Sequence, residues 1–319
     1  MNFRTINDLS RIINNNLYRI PSDVDLIVGV PKSGLMAASF ISLYLNLPLT
    51  DIDNLTNDRI YNSGISKVRD SWIKKPSEAR KILVVDDSSS TGITLNKTKE
   101  LINKSKYKDK IIFLVVIVND QTKELPDMYF DICQTPRMFE WNYMHHNGLI
   151  NACVDIDGVL CRDPSDEEND DGEKYLNFIS TVEPRVVPTS KIGYLVTTRL
   201  EKYRKETEKW LKDNNINYNK LIMLDLPSKQ ERLRLGNHGK YKGEVYKKLK
   251  DTNIFIESNE SQAQTILNIS KKHVFCVDNQ KFYDMCDIVE DVSFFRKIFR
   301  KIVPFKIRRK LKSLVKKTK

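Results

Sequence analysis

The sequence predicts an α/β protein with two doubly wound, Rossmann-like domains and a C-terminal basic amphipathic helical tail. Short β-branched apolar runs alternate with helical stretches, these runs fall into two series that meet near residue 148, and positive charge is concentrated at the end of the chain. At 319 residues, 40% hydrophobic and 30% charged, the chain can bury two cores. We expect domains at 1–148 and 149–291, followed by a tail at 292–319.

The strands are predicted from runs that are apolar on both faces, as buried parallel strands are. The first series comprises residues 25–30, 81–85 and 111–118, and the second comprises 152–156, 192–196, 221–224, 253–256 and 273–277. Each series supports its own parallel sheet covered by helices on both faces. The longest run, 111–118, is far too short to cross a bilayer.

The charge distribution argues against a nucleic-acid-coating surface. The chain has 53 Lys+Arg and 42 Asp+Glu, a formal charge of +11. Residues 296–319 hold twelve of the basic residues and no acidic one, so the first 295 residues are close to neutral. A nucleic-acid-binding domain would spread its basic residues over a folded surface. We therefore expect no nucleic-acid partner.

The cellular compartment is predicted to be the cytoplasm. The five cysteines are scattered and form no C-x-x-C pair, a pattern that a reducing environment tolerates. The first residues contain no apolar stretch of the kind that marks a chain for export.

The most specific segment of the first half is residues 81–95. A predicted strand ends at residue 85, Asp86 and Asp87 follow, and a small-residue loop opens a helix near Ile93. Backbone N–H groups and hydroxyls at a helix N-terminus suit a phosphate dianion. The two carboxylates can accept hydrogen bonds from vicinal sugar hydroxyls. A strand-end turn with helix capping is the simpler alternative.

This segment resembles the fingerprint of the type I phosphoribosyltransferases, and the resemblance covers about residues 20–120. It implies binding of phosphoribosyl pyrophosphate (PRPP), with the pyrophosphate in the loop at 31–34. The implied PRPP-binding residues are Pro31, Lys32, Ser33, Gly34, Asp86, Asp87, Ser88, Ser89, Ser90, Thr91, Gly92 and Thr94, with Arg59, Lys67 and Arg69 in a mobile lid at 58–70. A solvated surface lysine and an exposed polar loop are the alternatives for Lys32 and the lid.

The implied reaction is displacement of pyrophosphate from C1 of ribose 5-phosphate. Its transition state resembles an oxocarbenium ion, so catalysis should depend on holding the leaving group with Mg²⁺ and cations. A hydroxyl acceptor also needs a general base. The candidates are Asp51, Asp53, Asp87 and Glu140, and the sequence does not rank them.

In the second half, Asp155 and Asp157 follow directly on an apolar strand. At this spacing both carboxylates lie on one side of the extended chain, at the strand end where α/β sheets bind ligands. One can attack phosphorus while the other handles the proton of the leaving group. Two such close carboxylates need a cation, and Mg²⁺ suits oxygen ligands. A plain acidic turn is the alternative.

Residues 154–159 resemble the D-x-D-G-V motif of the haloacid dehalogenase (HAD) phosphatases, and the resemblance covers about residues 150–285. It implies a HAD-like fold with catalytic residues Asp155, Asp157, Thr197 and Lys242, and metal ligands Asp155, Asp157 and Glu257. Lys240 is the alternative lysine, and Glu260 or Asp278 could contribute to the metal site. Alone, Thr197 could be strand-end packing, Lys242 a surface lysine and Glu257 a helix cap.

The spacing of these motifs leaves no room for a large cap domain. About forty residues separate the first motif from the second, and a similar number the second from the third. The chain therefore resembles the capless HAD enzymes, which implies a substrate whose phosphate group is attached to a bulky molecule. The acid-rich stretch 163–173 is expected to be a solvated loop or a small acidic insert.

The tail carries apolar residues at helical spacing, with basic residues between them. The stripe comprises Phe294, Phe295, Ile298, Phe299, Ile302 and Val303, and it resumes after Pro304. A basic amphipathic helix of this kind indicates binding to an anionic membrane surface, so we expect peripheral association with the inner face of the cell membrane. Packing on the second domain, or binding nucleic acid, are the alternatives.

Together the motifs predict a bifunctional enzyme. The first domain would transfer 5-phosphoribosyl from PRPP to a hydroxyl of a glycan on a lipid carrier, and the second would remove the 5-phosphate to leave ribofuranose. It resembles fused enzymes associated with ribofuranose-containing bacterial polysaccharides. The alternatives are nucleobase salvage coupled to a nucleotide phosphatase, and a PRPP-sensing regulator that binds nucleic acid. A homo-oligomer is possible.

Overall fold

A computed structural model describes residues 1–62, 68–236 and 238–288. The chain divides by its internal contacts into two units. Unit 1 comprises Met1–Ala152, Val186–Gly193 and Asn215–Asn219, and unit 2 comprises the remaining described residues. The domain boundaries expected from the sequence stay a prediction, and the predicted tail at 292–319 lies outside the described residues.

Unit 1 contains a five-stranded parallel sheet. Its strands and helices are β1 (Asn2–Arg4), α1 (Ile6–Asn16), β2 (Val24–Gly29), α2 (Ser33–Leu45), β3 (Leu49–Asp51), α3 (Ile52–Thr56), β4 (Lys81–Ser88), α4 (Ile93–Asn103), β5 (Ile111–Val118), β6 (Met128–Ile132) and β7 (Arg137–Phe139). The sheet order is β3-β2-β4-β5-β6, with parallel pairing throughout. Separately, β1 pairs in parallel with β7.

The alternation of side chains along β4 explains why helices cover both faces of this sheet. Leu83 and Val85 join the core cluster that includes residues of α1 and α2. Ile82 and Val84 point the other way and join the cluster that includes residues of α3 and α4. Since successive side chains of a strand face opposite sides, an uninterrupted apolar strand must be buried on both.

The second sheet has six strands. Its elements are β8 (Ala152–Val154), α5 (Glu173–Thr181), β9 (Ile192–Leu200), α6 (Arg204–Asp213), β10 (Tyr218–Leu224), α7 (Lys229–Leu235), α8 (His238–Lys248), β11 (Ile254–Glu257), α9 (Glu260–Ser270), β12 (Val274–Cys276) and β13 (Lys281–Tyr283). The order is β10-β9-β8-β11-β12-β13. The pairs β8–β9 and β11–β12 are parallel, and β12–β13 is antiparallel.

Two glycines allow α8 and α9 to approach closely. A Cβ at Gly239 would lie 2.9 Å from the Thr265 Cβ, and one at Gly243 would lie 3.0 Å from the Ile269 Cβ. The two glycines are four residues apart and share one helix face, so this face can lie flat against α9. The close approach brings Lys242, between them in sequence, to the site described below.

The predicted α/β class with parallel sheets is confirmed, and strand β5 has the predicted bounds. β4 and β9 are longer than predicted, and β8 is shorter. The short strands β1, β3, β6, β7 and β13 were not predicted. Among the described residues, no helix combines the length and apolar character needed to span a membrane.

Candidate functional site

The first candidate site lies at the end of β4. Asp86 and Asp87 are 8% and 3% exposed, and the loop 89–92 leads into α4. Gly92 is the N-cap residue, has φ 77° and provides no side-chain cap. The first N–H groups of a helix have no intrahelical partner and carry partial positive charge. The loop therefore offers uncapped donors, as a phosphate requires.

Ser89 differs from its neighbours in this loop. Its N–H donates to the Ile117 carbonyl at 3.0 Å. Its own carbonyl accepts from Arg137 Nη2 at 2.7 Å and from Thr122 Oγ1 at 3.1 Å. Because its backbone N–H is already bonded, Ser89 anchors the loop, whereas Ser90, Thr91 and Thr94 are exposed.

The predicted pyrophosphate loop, 31–34, lies beside this acid pair. Lys32 is the N-cap residue of α2 and provides no side-chain cap, and the Pro31–Lys32 peptide is cis. A Cβ at Gly34 would lie 2.9 Å from both Asp86 Oδ1 and the Val85 carbonyl oxygen. The structure thus brings a second uncapped helix N-terminus to the end of β4. Pro31 and Lys32 are exposed, and Ser33 is half-buried.

The two carboxyls of the acid pair have different surroundings. Burial, and then the neighbouring Asp87, raise the pKa of Asp86 above its ordinary value. The Asp87 N–H donates to Asp86 Oδ1 at 3.0 Å. Asp87 Oδ2 accepts from Ser88 Oγ at 3.1 Å and from Trp141 Nε1 at 2.9 Å. Sequence reasoning missed Trp141.

The predicted lid is only partly described. Arg59 and Arg69 are exposed. Lys67 lies outside the described residues. The assignment of these three residues to PRPP stays a prediction.

Two of the candidate general bases already act as helix caps. Asp51 accepts from the Asn54 N–H at 2.7 Å and from the Tyr61 hydroxyl. Although burial opposes it, these bonds hold the pKa of Asp51 below its ordinary value. Glu140 Oε2 accepts from the Ile6 N–H at 2.7 Å, at the start of α1, and burial raises the pKa of Glu140. Asp53 is exposed.

The second candidate site surrounds a buried lysine at the end of β8. Lys242 Nζ contacts Asp155 Oδ2 and donates to Glu257 Oε2 at 2.7 Å and to Gln262 Oε1 at 2.9 Å. Lys242 is 2% exposed, Asp155 4% and Glu257 0%. Burial raises the pKa of Asp155, against the effect of Lys242. Burial lowers the pKa of Lys242, but Asp155 and Glu257 outweigh it, so the lysine stays protonated.

Asp157 faces a different partner. Its carboxylate accepts from Arg199 Nη2 at 2.6 Å and from Arg199 Nε at 3.1 Å, and Arg199 is 1% exposed. Arg199 lies near the end of β9, and its N–H donates to Thr197 Oγ1 at 3.2 Å. Sequence reasoning missed both Arg199 and Gln262. The signal for Arg199 was a basic residue two positions after Thr197.

The alternatives that the sequence left open occupy other surroundings. Lys240 is exposed. Glu260 Oε1 accepts from the Tyr283 hydroxyl at 2.9 Å. Asp278 pairs with Arg185 at 3.7 Å. The roles of Lys242 and Glu257 stay predictions. These two residues contact each other at the Asp155 site, whereas within the described residues none of the three alternatives is bonded to Asp155.

The donors at this second site suit Mg²⁺ in kind. Asp155 and Glu257 bring two carboxylates together at the Lys242 ammonium, and Mg²⁺ is commonly held by one or two carboxylates together with substrate phosphate oxygens. Asp155 and Glu257 would hold the ion. Asp157 is directed to Arg199, and within the described residues no group of three His, Cys, Asp or Glu side chains is arranged for a metal.

The acid-rich stretch 163–173 is bound to the rest of unit 2 at several points. Glu168 pairs with Arg162 at 2.6 Å. Asp171 pairs with Lys202 at 3.0 Å and accepts from the Lys229 N–H at 2.9 Å. The stretch is largely exposed, as a solvated loop would be, but ion pairs and helix caps fix its path.

Comparisons with known proteins concern the first half of the chain. Residues 2–147 match the sequence model of the phosphoribosyl transferase domain. The orotate phosphoribosyltransferase of Sulfurisphaera tokodaii is 32% identical over 111 residues, which cover 34% of this chain and 52% of that protein. The chain thus spans about half the length of this curated relative.

Two of the solved structures with a likeness to the chain are named as phosphoribosyltransferases. The purine phosphoribosyltransferase from Pyrococcus horikoshii Ot3 is 22% identical, over 44% of this chain and 91% of that one, with a TM-score of 0.32. The Helicobacter pylori xanthine-guanine-hypoxanthine phosphoribosyltransferase is 16% identical, over 44% and 92%, with the same TM-score. The domain match is what identifies residues 2–147 as a phosphoribosyltransferase domain.

Proposed function

We propose that this protein transfers 5-phosphoribosyl from PRPP to a hydroxyl acceptor and then hydrolyses the 5-phosphate to leave a ribofuranosyl group. The observation that carries the proposal is the convergence of two uncapped helix N-termini, those of α2 and α4, on a buried acid pair within a phosphoribosyltransferase domain. Two anion sites beside two carboxylates complement a ribose that carries phosphate groups at both ends.

In the first step the N-terminus of α4 binds the 5-phosphate and the loop 31–34 binds the pyrophosphate. Asp86 and Asp87 accept hydrogen bonds from the ribose hydroxyls, and Lys32 offsets charge on the leaving group. Mg²⁺ would supply further charge stabilisation to the departing pyrophosphate. Asp51 and Glu140 already cap helices, and Asp87 already accepts hydrogen bonds from Ser88 and Trp141. Of the four candidates, the exposed Asp53 is therefore favoured as the base that takes the acceptor proton.

In the second step Asp155 attacks the phosphorus of the 5-phosphate, and the bond between phosphorus and the ribose O5 breaks. Water then hydrolyses the aspartyl-phosphate and releases phosphate. Asp157 transfers protons between the attacking and leaving oxygens, and Arg199 fixes its orientation. Thr197 binds the phosphoryl group. Lys242, held against Asp155, offsets the charge that develops there. The strand order, with β8 between β9 and β11, supports this step, because ligands of α/β sheets bind at such strand ends.

For the acceptor we propose a glycan hydroxyl on a lipid carrier. The short spacing between the motifs of the second unit leaves its site without a large cap, as a bulky substrate requires. The basic amphipathic sequence at 292–319 would bring the enzyme to an anionic membrane surface, where such a substrate resides. The name of the curated relative favours one alternative, transfer to a free nucleobase such as orotate.

The deciding experiment supplies the full chain with PRPP and Mg²⁺, together with either lipid-linked or synthetic glycans or a panel of nucleobases. Pyrophosphate and then phosphate are measured. We expect both products with a glycan acceptor. Turnover with a free base, and none with any glycan, would refute the glycan proposal and leave the salvage alternative.

Three variants test the parts separately. Replacing both Asp86 and Asp87 by Ala should abolish pyrophosphate release and spare hydrolysis of a model phosphate ester. Asp155→Asn should stop the two-step reaction at a phosphoribosylated product, and continued phosphate release would show the nucleophile assignment to be wrong. Deletion after Asp291 should move the protein from the membrane pellet to the supernatant.

A further inference from the structure

The aromatic stretch near residue 140 makes a contact that the proposed chemistry has not used. The Trp141 indole donates its Nε1–H to Asp87 Oδ2 at 2.9 Å. The Trp141 ring lies parallel on the Phe139 ring, with centroids 4.7 Å apart and 4° between the planes. Phe139 is 4% exposed, so the indole rests on a fixed platform.

Residues 137–141 also hold the loop 89–92 in place. Arg137 Nη2 donates to the Ser89 carbonyl at 2.7 Å, Arg137 Nη1 donates to the Cys133 carbonyl at 3.1 Å, and the guanidinium lies 5.1 Å from the Phe139 ring centroid. Asp87 and Ser89 are therefore both bonded by side chains of residues 137–141, which come from β7 and the residues after it.

The two donors to Asp87 Oδ2 differ in rigidity. Ser88 Oγ can rotate about its own side-chain bond and form hydrogen bonds elsewhere. The indole N–H points in one direction, since stacking fixes the ring plane. A carboxylate whose Oδ2 is held by a fixed donor has a fixed rotation, which also sets the direction of Oδ1.

We propose that Trp141 is a positioning residue of the phosphoribosyl site, whose indole N–H orients the Asp87 carboxylate toward the ribose hydroxyls of PRPP. This inference rests on the proposed function of unit 1. Trp141 itself does not contact the substrate in this proposal, and its effect is transmitted through Asp87.

The test measures PRPP affinity by titration calorimetry with Mg²⁺, using the full chain. Trp141→Phe keeps a ring to stack on Phe139 and removes the donor. Trp141→His keeps a ring N–H and reduces the stacking area. A hydrogen bond to a charged group typically corresponds to about 10- to 100-fold in an equilibrium constant, and we expect Trp141→Phe to weaken PRPP binding by that factor. Trp141→His should lie between Trp141→Phe and the wild type.

Trp210→Phe is the matched control. It removes an indole N–H bond of similar length, 2.7 Å to the Val182 carbonyl, within unit 2. PRPP affinity should be unchanged in this variant. Thermal unfolding of all the proteins tests whether the Phe and His variants keep wild-type stability while their PRPP affinities differ.

The outcomes separate the two proposals. If the wild type does not bind PRPP, the proposed function fails. If the wild type binds PRPP and Trp141→Phe binds equally well, only the positioning role fails. A Trp141→His variant that binds no better than Trp141→Phe would also overturn it, because ring packing rather than the N–H would then set the affinity.

Discussion

Replacing Lys242 by Met should destabilise unit 2 strongly and in a pH-dependent manner. Met retains much of the side-chain volume and removes the ammonium that lies between the Asp155 and Glu257 carboxylates. All three side chains are almost fully buried. Breaking a buried ion pair by removing one partner typically costs about 3–5 kcal/mol, and with a urea slope of about 1–3 kcal/mol/M the unfolding midpoint should fall by at least about 1 M.

The direction of the pH dependence follows from Asp155. Burial already raises the pKa of Asp155 above its ordinary 3.8, and Lys242 opposes that rise. Without the lysine, the folded-state pKa of Asp155 rises further. A carboxyl with a raised folded-state pKa contributes its full stability below its unfolded pKa, and this contribution is lost as pH rises through the folded value. The destabilisation should therefore be larger at about pH 8 than at about pH 5.

The assay is hydrogen exchange of peptides covering β8 and β11, in EDTA and across a urea series, so that unit 2 is followed separately from unit 1. Lys240→Met is the matched control, because Lys240 is exposed two residues away and its loss should cost no more than about 0.5 kcal/mol. A Lys242→Met deficit as small as that of the control, or equal at both pH values, would refute the reasoning.

Three further predictions concern unit 1. Gly34→Ala places a Cβ 2.9 Å from Asp86 Oδ1 and should weaken PRPP binding at least about tenfold by calorimetry, whereas Gly172→Ala, whose nearest contact would be 3.4 Å, should not; equal affinities would contradict this. Burial and Asp87 raise the pKa of Asp86 in the folded protein, so the stability of the wild type falls as pH rises through the folded-state pKa of Asp86. Asn does not titrate, so the thermal midpoint of Asp86→Asn minus that of the wild type should increase from pH 5 to pH 8. A constant difference would show that Asp86 does not titrate as described. Glu140→Gln keeps an acceptor for the Ile6 N–H, so pyrophosphate release should be unchanged; a loss above tenfold would identify Glu140 as the general base.

The central strands were predictable because their pattern is local. β5 is apolar along its whole length, so only burial on both faces satisfies it, and its bounds follow from its sequence. The short strands β1, β6, β7 and β13 contain mixed polar and apolar residues. Of these, β1 and β7 pair with each other from opposite ends of unit 1's first segment, Asn2 with Arg137, and no local pattern specifies that partner.

The site residues divide in the same way. The chemical types of Asp86, Asp87 and Asp155, and their places at strand ends, follow from the sequence, because parallel strands bring their carboxyl ends to one edge. Trp141 and Arg199 could not be assigned in this way. Each bonds to a carboxylate more than forty residues away in sequence, and spacing does not encode that proximity.

The sequence by itself thus determined an α/β protein with parallel sheets, a small-residue loop after β4 and acidic residues at two strand ends. Only the tertiary structure decided which partner each of these groups has. In the folded chain the Asp87 carboxylate is hydrogen-bonded by Trp141, the Asp157 carboxylate by Arg199 and the Asp155 carboxylate by Lys242. The physical reason is that a buried charged group must find a donor or counter-ion among its neighbours in space, and those neighbours are set by the path of the folded chain.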